Sequence, residues 1–420
     1  MKIAIVSPYP PSKLTLNEYA HHLVTHFQEK REITELIVIT NELPEGEQYS
    51  IDVGNVPVRF EAVWNFNSFK NPLSILKTIK LHKPDVVFYN IHFLTFGDNK
   101  VAAALGLMTP MLTRLSGFVS VVLLHNIIES VDLSSAGFTR NVFLKWIYTM
   151  FGTFLTFMLL RANLVAVTIS KYVSILEKKY KADNIALVPH GSFETPDEPS
   201  FQLPAGPKKI MTFGKFGTYK KVESMIEAVE LVRNRTGADL EIVIAGTDSP
   251  NVQGYLDAVQ EKYSEVPQIT FTGYVEEEDV PRIFKESAMV VFPYTSTTGS
   301  SGVLHQAGSY GCAAILPNIG DLKALIEEEG YRGNYFEPDN VESLADAIEE
   351  LVLNDEKRIQ LGKANYVAAA SLPMADITDW YMLHFNHLIN EKAVNKQNST
   401  VAQLIKSLNR RETVTINPAQ

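Results

Sequence analysis

The chain has 420 residues, of which 45% are hydrophobic and 20% are charged, a composition typical of folded globular domains and unlike that of disordered chains. This length exceeds one compact core and suits two domains of about 200 residues each. The formal net charge of -10 and the absence of Lys/Arg-rich runs exclude a general nucleic-acid binder, and the single cysteine excludes an internal disulfide framework.

Short apolar runs bounded by turn residues alternate with helix-length stretches along the whole chain. The predicted strands are Lys2–Ser7, Glu35–Thr40, Val56–Phe60, Val86–Tyr89, Ser120–His125, Leu164–Ile169, Ile185–Val188, Lys209–Phe213, Leu240–Ala245, Ile269–Thr272, Met289–Phe292 and Ala313–Leu316. The clearest helical patterns are Asn17–Gln28, Tyr172–Tyr180, Val222–Arg235, Gly254–Tyr263 and Val341–Leu353. Strands that are apolar on both faces and separated by helices indicate parallel sheets, so the fold class is α/β with two similar domains.

A proline-rich linker marks the boundary between the two predicted domains. It begins at Pro189–Ser192 and continues through prolines at positions 196, 199, 204 and 207. The N-terminal domain is therefore expected at residues 1–195 and the C-terminal domain at 208–375. A helix at 376–390 is expected to return to the N-terminal domain, and residues 391–420 form a polar tail with a short helix near Val401–Leu408.

The location of the protein is predicted from two segments. The N-terminal run Lys2–Ser7 is too short for a signal peptide, so a cytoplasmic location is expected. Trp146–Leu160 is almost wholly apolar, but its helix would rise only about 22 Å, less than a bilayer core. Two interpretations remain open: a core helix of the N-terminal domain, or a surface that enters the interface on the inner face of a membrane.

The first candidate binding segment runs from Gly214 to Lys221, directly after a predicted strand and before a predicted helix. Ligands of open α/β sheets bind in such loops. Glycines there permit close backbone approach, and Lys215 and Lys220 can meet a diphosphate. A solvated basic loop is the alternative.

The second candidate segment is rich in hydroxyl groups and glycine and opens the predicted helix Val303–Tyr310. Its central residues are Thr298, Gly299, Ser300, Ser301 and Gly302. An ordinary helix cap needs one Ser or Thr, so this density indicates an anion cradle made of hydroxyls and backbone amides.

Three further polar residues lie at strand ends without a decisive pattern. His125 ends a β-run, His190 stands at the linker entrance, and Asp248 follows the predicted strand Leu240–Ala245. Position alone leaves each of them open between a structural and a functional role.

Several of these segments together resemble the GT-B glycosyltransferases, specifically the large retaining group called family 4. The resemblance covers Lys2 to Ile389 and rests on Leu187–Gly191 (the family's "IPNG"), Phe213–Lys220 ("GRL…K"), Ile244–Gly246 ("IAG"), Phe271–Val275 ("FxGyv") and Pro293–Pro317 ("PS…EGFGL…EAMACGxPV"). It implies two Rossmann-like domains facing a cleft. It also implies that Tyr274 lies against the donor base, and His125 falls on the histidine that contacts the transferred sugar.

The sequence departs from the family pattern at two places. The family's two signature glutamates are replaced by Thr298 and Gln306. Gln306 can still hydrogen-bond a ribose diol, although without the strength that a carboxylate provides. The N-terminal glycine pair is replaced by Leu14 and Thr15, and Asn17 and Glu18 follow at the start of the first helix. Thr15, Asn17 and Glu18 are therefore the expected acceptor-side residues.

The resemblance implies transfer of a hexose from a UDP- or GDP-sugar to a saccharide or lipid-linked acceptor with retention of configuration, as in polysaccharide or cell-envelope assembly. No Asp-x-Asp tripeptide occurs in the chain, which favours a reaction without metal or cofactor. The alternatives are a nucleotide-sugar epimerase, a phosphorylase, and a catalytically silent GT-B subunit that binds a sugar nucleotide or a partner enzyme. Loss of both signature glutamates is what favours the silent subunit.

Overall fold

The computed structural model describes residues 1–130, 142–193, 196–249, 252–295 and 301–412. The chain divides into two compact units. The first comprises Met1–Leu123, Phe157–Val165 and Thr378–Gln420, and the second comprises Leu124–Thr156 and Ala166–Ile377.

The first sheet has seven strands in the order β3-β2-β1-β4-β5-β6-β7. Its strands and the helices between them are β1 Lys2–Val6, α1 Asn17–Gln28, β2 Glu35–Asn41, β3 Val58–Trp64, α2 Asn71–His82, β4 Val86–Ile91, α3 Lys100–Leu107, α4 Thr109–Leu115, β5 Val119–Leu124, α5 Val142–Leu159, β6 Leu164–Val167, α6 Ser170–Tyr180 and β7 Ile185–Leu187. Every residue of β4 and β5 is buried, as expected for central strands covered on both faces.

The second sheet has six strands in the order β10-β9-β8-β11-β12-β13. Its elements are β8 Lys208–Phe216, α7 Glu223–Thr236, β9 Leu240–Asp248, α8 Tyr255–Lys262, β10 Ile269–Gly273, α9 Val280–Glu286, β11 Ser287–Val291, α10 Gly302–Ser309, β12 Ala313–Pro317, α11 Gly320–Glu329, β13 Gly333–Phe336, α12 Val341–Leu353 and α13 Asp355–Ala370. Separate apolar clusters cover its two faces, one around Ile226 and Leu344 and the other around Phe284 and Leu304. The predicted α/β class with two Rossmann-like domains is confirmed.

Two strands of the second sheet extend three residues beyond their predicted carboxyl ends. β8 continues from Phe213 to Phe216, and β9 continues from Ala245 to Asp248, because Gly214 and Gly246 stay paired across the two strands. The prediction that Gly214 and Lys215 lie in a loop is therefore wrong: both residues belong to β8. The short strand β13 was not predicted.

The last helix, α14, runs from Met374 to Glu412. Residues 391–412, described above as a polar tail with a short helix, thus continue the helix that begins before residue 376. Tyr381 and Phe385 of α14 pack against Phe88 of β4, with ring centroids 4.6 and 5.6 Å apart. Within the described ranges, no helix is long and apolar enough to cross a membrane.

Candidate functional site

The first candidate segment lies at the carboxyl end of β8 and in the turn that follows. Gly214 has a φ of 134°, and a Cβ atom placed there would lie 2.7 Å from the Nζ atom of Lys220. A side chain at Gly214 would therefore displace the Lys220 ammonium group. Lys215 follows on the same strand with an exposed side chain.

Aromatic rings hold the Lys220 ammonium group in place. Its Nζ atom lies 4.8 Å from the ring centroid of Tyr294, which is buried, and 5.9 Å from that of Tyr219. Such cation–π contacts orient the ammonium group. The ammonium group of the next residue, Lys221, lies instead 5.7 Å from the ring centroid of Tyr255.

The segment that carries Lys220 is joined to the beginning of the hydroxyl-rich segment by backbone hydrogen bonds. The Lys221 amide donates to the Pro293 carbonyl at 3.0 Å, and the Thr295 amide donates to the Tyr219 carbonyl at 2.9 Å. Lys220 and Tyr294 form an antiparallel β-bridge between these bonds. The structure thus brings the two segments together, because β8 and β11 are neighbours in the sheet.

The hydroxyl-rich segment is described only at its end. Thr298, Gly299 and Ser300 lie outside the described residues. Ser301 is buried, and its carbonyl accepts the amides of Leu304 and His305 at 2.9 and 3.3 Å in the first turn of α10. The amides of Gly302 and Val303 come before the first hydrogen-bonded amides of α10. They point out of the N-terminal end of the helix, as at any helix N-terminus. Burial raises the pKa of Tyr294, and the nearby Ser301 side chain opposes that shift.

Two glycines, Gly214 and Gly246, lie side by side near the carboxyl ends of β8 and β9. A Cβ atom on Gly246 would lie 1.9 Å from the Gly214 carbonyl oxygen, so the two backbones are in direct contact. Asp248, at the end of β9, accepts the amides of Gly254 and Leu256 at 2.6 and 2.9 Å. Asp248, whose role the sequence left open, thus caps the start of α8.

Three histidines of the second unit form a row beside the first turn of α10. The His125 ring centroid lies 6.0 Å from that of His190, and His190 stacks on His305 at 4.6 Å with an interplanar angle of 19°. A Cβ atom on Gly302 would lie 3.8 Å from the Cε1 atom of His190. Two predicted site residues, His125 and Gly302, are therefore linked through His190.

Sequence reasoning missed His305 and Glu329. The Nε2 atom of His305 lies 3.3 Å from Oε2 of Glu329, whose side chain is 4% exposed, and its Nδ1 atom lies 3.0 Å from the hydroxyl of Tyr331. Burial raises the pKa of Glu329 to about 8 and lowers that of His190 to about 4. Burial also holds the pKa of His305 well below its usual range. The only sequence feature that could have pointed to His305 was its position next to the candidate residue Gln306.

Gln306 and Tyr274 were both expected to contact the donor. Gln306 is partly exposed on α10, directly after His305. Tyr274 directly follows β10, and its side chain is 69% exposed. Both side chains are accessible to a ligand.

The expected acceptor-side residues lie in the first unit, at the start of α1. Thr15 and Glu18 are exposed, and the Asn17 side chain donates to the Ser12 carbonyl at 2.8 Å. Leu16 has a φ of 75°, the left-handed region that favours glycine. A leucine thus takes a glycine-like conformation next to the positions where the family has its glycine pair.

No group of three or more His, Cys, Asp or Glu side chains suited to a metal occurs among the residues that the structure describes. Independence from metal stays a prediction, supported by the two lysines near the strand end.

Comparison with known proteins identifies the C-terminal region. Residues 207–354 match the family model described as "Glycosyl transferases group 1". No curated protein matches the chain.

Solved structures extend the likeness to nearly the whole chain. Sucrose-phosphate synthase from Thermosynechococcus elongatus superposes with a TM-score of 0.73 at 15% identity, covering 93% of this chain and 100% of that one. Anabaena HepE in complex with UDP-glucose superposes with a TM-score of 0.64 at 12% identity, covering 92% of this chain and 100% of that one. WaaG, a glycosyltransferase involved in lipopolysaccharide biosynthesis, superposes with a TM-score of 0.61 at 12% identity, covering 91% of this chain and 98% of that one.

These findings define the fold. The chain has the fold of the GT-B glycosyltransferases, and residues 207–354 are similar to the group 1 glycosyl transferases. The resemblance to this class inferred from the sequence is confirmed, whereas assignment to family 4 stays a prediction.

Proposed function

We propose that the protein is a retaining glycosyltransferase that moves a hexose from a UDP- or GDP-sugar to a saccharide or lipid-linked acceptor without a metal ion. The observation that carries the proposal is the hydrogen-bonded contact between the Lys220 segment and the start of the hydroxyl-rich segment. Relatives of the same fold support the donor class, since HepE was solved with UDP-glucose.

The charged groups stabilise the leaving group in this proposal. Lys215, Lys220 and the amides at Ser301 and Gly302 meet the diphosphate, where negative charge builds as the glycosidic bond breaks. Preorganised donors of this kind usually supply the largest catalytic effect. The two ammonium groups take the place of a metal cation at the diphosphate.

The remaining predicted residues bind the other parts of the substrates. His125 hydrogen-bonds the donor sugar, Gln306 binds the ribose hydroxyls and Tyr274 lies against the base. Thr15, Asn17 and Glu18 lie on the acceptor side. The leaving phosphate helps to deprotonate the acceptor hydroxyl, which is the route that the family resemblance implies for retention.

The proposal is tested first with free nucleotides and then with sugar nucleotides. Binding of UDP or GDP to the folded state must raise the melting temperature. Release of UDP or GDP from a panel of sugar nucleotides, with and without acceptors, then measures transfer. Binding without release under any condition favours the silent subunit, and conversion of the sugar without an acceptor favours an epimerase.

Replacing Gln306 by glutamate is expected to strengthen donor binding. A carboxylate forms charge-assisted hydrogen bonds to a ribose diol, stronger than those of an amide by about 1 kcal/mol, so the donor KM should fall roughly fivefold. Initial rates over a range of donor concentrations measure this. The matched control is Gln306→Met, which keeps the size, removes the hydrogen bonds and should raise KM. If neither variant changes donor KM, Gln306 has a structural role.

Helix α5 supports the proposal that the protein binds a membrane surface. Two of its threonines are held by the rest of the second unit: the Thr153 hydroxyl accepts from Lys179 at 2.9 Å, and the Thr156 hydroxyl donates to Glu129 at 3.5 Å. The same helix presents Met150, Phe151, Phe154 and Phe157, which are between 38% and 55% exposed. The helix is therefore not buried on all sides, and three phenylalanine rings lie on its exposed part. A bilayer interface covers such a face by burying its rings among the acyl chains. The proposed location is thus cytoplasmic, peripheral on the inner face of the membrane.

The double variant Phe151→Glu with Phe154→Glu is expected to abolish binding to vesicles of phosphatidylethanolamine and phosphatidylglycerol. Two charges on this face would have to enter the apolar layer, at a cost that exceeds the gain from the remaining rings. Co-sedimentation measures the bound fraction. Phe66→Glu with Phe69→Glu, two exposed rings elsewhere, is the control and should leave binding unchanged. Equal sedimentation of both variants would contradict the proposed surface.

A further inference from the structure

The cluster formed by His190, His305, Glu329 and Tyr331 has no role in the proposed reaction so far. It lies wholly within the second unit. Neither carboxyl oxygen of Glu329 makes a hydrogen bond of good geometry to a side chain, and the Nε2 atom of His305 lies 3.3 Å from Oε2. An ionised carboxylate in such surroundings is costly, so burial favours the neutral form.

The hydrogen-bonding partners restrict the protonation states of the two imidazoles. The Gly191 carbonyl can only accept, so Nδ1 of His190 carries the proton in the 3.0 Å contact between them. A neutral His305 carries one N–H group. Either that proton lies on Nε2 and faces an ionised Glu329, or it lies on Nδ1, donates to Tyr331, and leaves Nε2 to accept a proton from a neutral Glu329. The second arrangement leaves no net charge in the cluster.

The cluster reaches the candidate donor site through His190. One face of the His190 ring stacks on His305, its Cε1 atom borders Gly302 at the start of α10, and His125 lies against it. His305 is thus connected through His190 to residues that the proposed function places at the phosphate and the sugar.

Resting on the proposed function, we propose that Glu329 is a positioning residue of the donor site. As a neutral carboxyl it donates to His305 Nε2 and fixes the stack of His305 and His190 against Gly302 and His125. In this form it adds no negative charge beside the diphosphate. Glu329 contacts neither substrate, and it acts only through the two histidines.

The groups around Glu329 determine how the cluster responds to pH. His305 faces it from α10, His190 from the segment after β7, Tyr331 from the segment after α11, and Glu328 precedes it on α11. Burial raises the pKa of Glu329, Glu328 raises it further and the His190 backbone opposes the shift, giving about 8. Above that pH a buried negative charge appears next to the stack, so nucleotide diphosphates should bind more weakly.

The test measures binding of UDP and of GDP to the full chain by calorimetry from about pH 7 to about pH 9.5, across this pKa. For the wild type, Kd should rise about fivefold to tenfold over this interval, the effect of one nearby charge. Glu329→Gln mimics the neutral carboxyl and should give a Kd independent of pH. Glu327→Gln removes an exposed carboxylate two residues earlier and should follow the wild type. A flat wild-type profile, or a Glu329→Gln profile equal to that of the wild type, overturns the proposal.

A second measurement does not depend on nucleotide binding. The infrared difference between wild type and Glu329→Gln at about pH 7, below this pKa, should show the C=O band of a protonated carboxyl group. Its absence overturns the role of Glu329 even if the nucleotides bind. Failure of the wild type to bind UDP or GDP while the band is present overturns the proposed function instead. If Glu329→Gln does not fold, the wild-type binding profile alone decides.

Discussion

Replacing Lys215 and Lys220 together by alanine is expected to lower turnover by about 10³-fold or more while the protein still folds. The removal of one preorganised donor at a developing charge typically costs 10²- to 10³-fold, and here two cations are removed at about the same point. Lys220 should contribute more, because two tyrosine rings orient its ammonium group, whereas the Lys215 side chain is exposed. Release of UDP or GDP at saturating donor measures the effect.

Lys221→Ala is the matched control. It removes the same charge from the adjacent residue, whose ammonium group lies over Tyr255, and it keeps the backbone hydrogen bond to Pro293. Turnover should stay within about twofold, since the removal of an exposed, solvated charge has a small effect. An equal loss in Lys221→Ala and in the double variant would show that net charge matters rather than position. Unchanged turnover in the double variant would remove the lysines from the site.

The strands of both sheets could be predicted because parallel central strands are apolar on both faces. Leu164–Val167 and Ala313–Pro317 illustrate this, since every residue in them is buried. Their ends were less predictable. Gly214 and Gly246 signal a turn in sequence, yet each continues its strand because the other leaves room for it. Pairing across strands, rather than local propensity, decides such ends.

The two candidate binding segments could be located from sequence, but their contact could not. Each follows a strand and precedes a helix, which places it at the carboxyl edge of a sheet. They meet because β11 pairs with β8, although two strands and three α-helices lie between β8 and β11 along the chain. The sheet order is a tertiary property that strand patterns alone leave open.

The proximity of His305 and Glu329 could not be predicted from the sequence. His305 lies inside a short helix, and Glu329 is the last of three consecutive glutamates, a pattern typical of a solvated helix end. The following Gly330 has a φ of 82° and ends α11 there. The burial of Glu329 beside His305 depends on how α10 and α11 pack, and no local signal distinguishes it from Glu327 or Glu328.

Replacing Gly246 by alanine is expected to destabilise the protein by about 3 kcal/mol or more. The new Cβ atom would lie 1.9 Å from the Gly214 carbonyl oxygen, which is backbone and cannot rotate away, and the φ of 134° is unfavourable for alanine. Backbone strain and overpacking each cost about 1–3 kcal/mol. The melting temperature should fall by about 6 °C or more, as measured by differential scanning fluorimetry.

Gly237→Ala separates the strain of the left-handed backbone from the clash. Gly237 ends α7 with a φ of 66°, and a Cβ atom there would meet nothing within 4 Å. This variant should cost about 1 kcal/mol, from conformation alone. A similar fall in melting temperature for both variants would mean that the backbones of β8 and β9 separate easily at Gly214. The strand ends would then be too compliant to hold Lys220 in a fixed position, and preorganised stabilisation of the diphosphate would lose its physical basis.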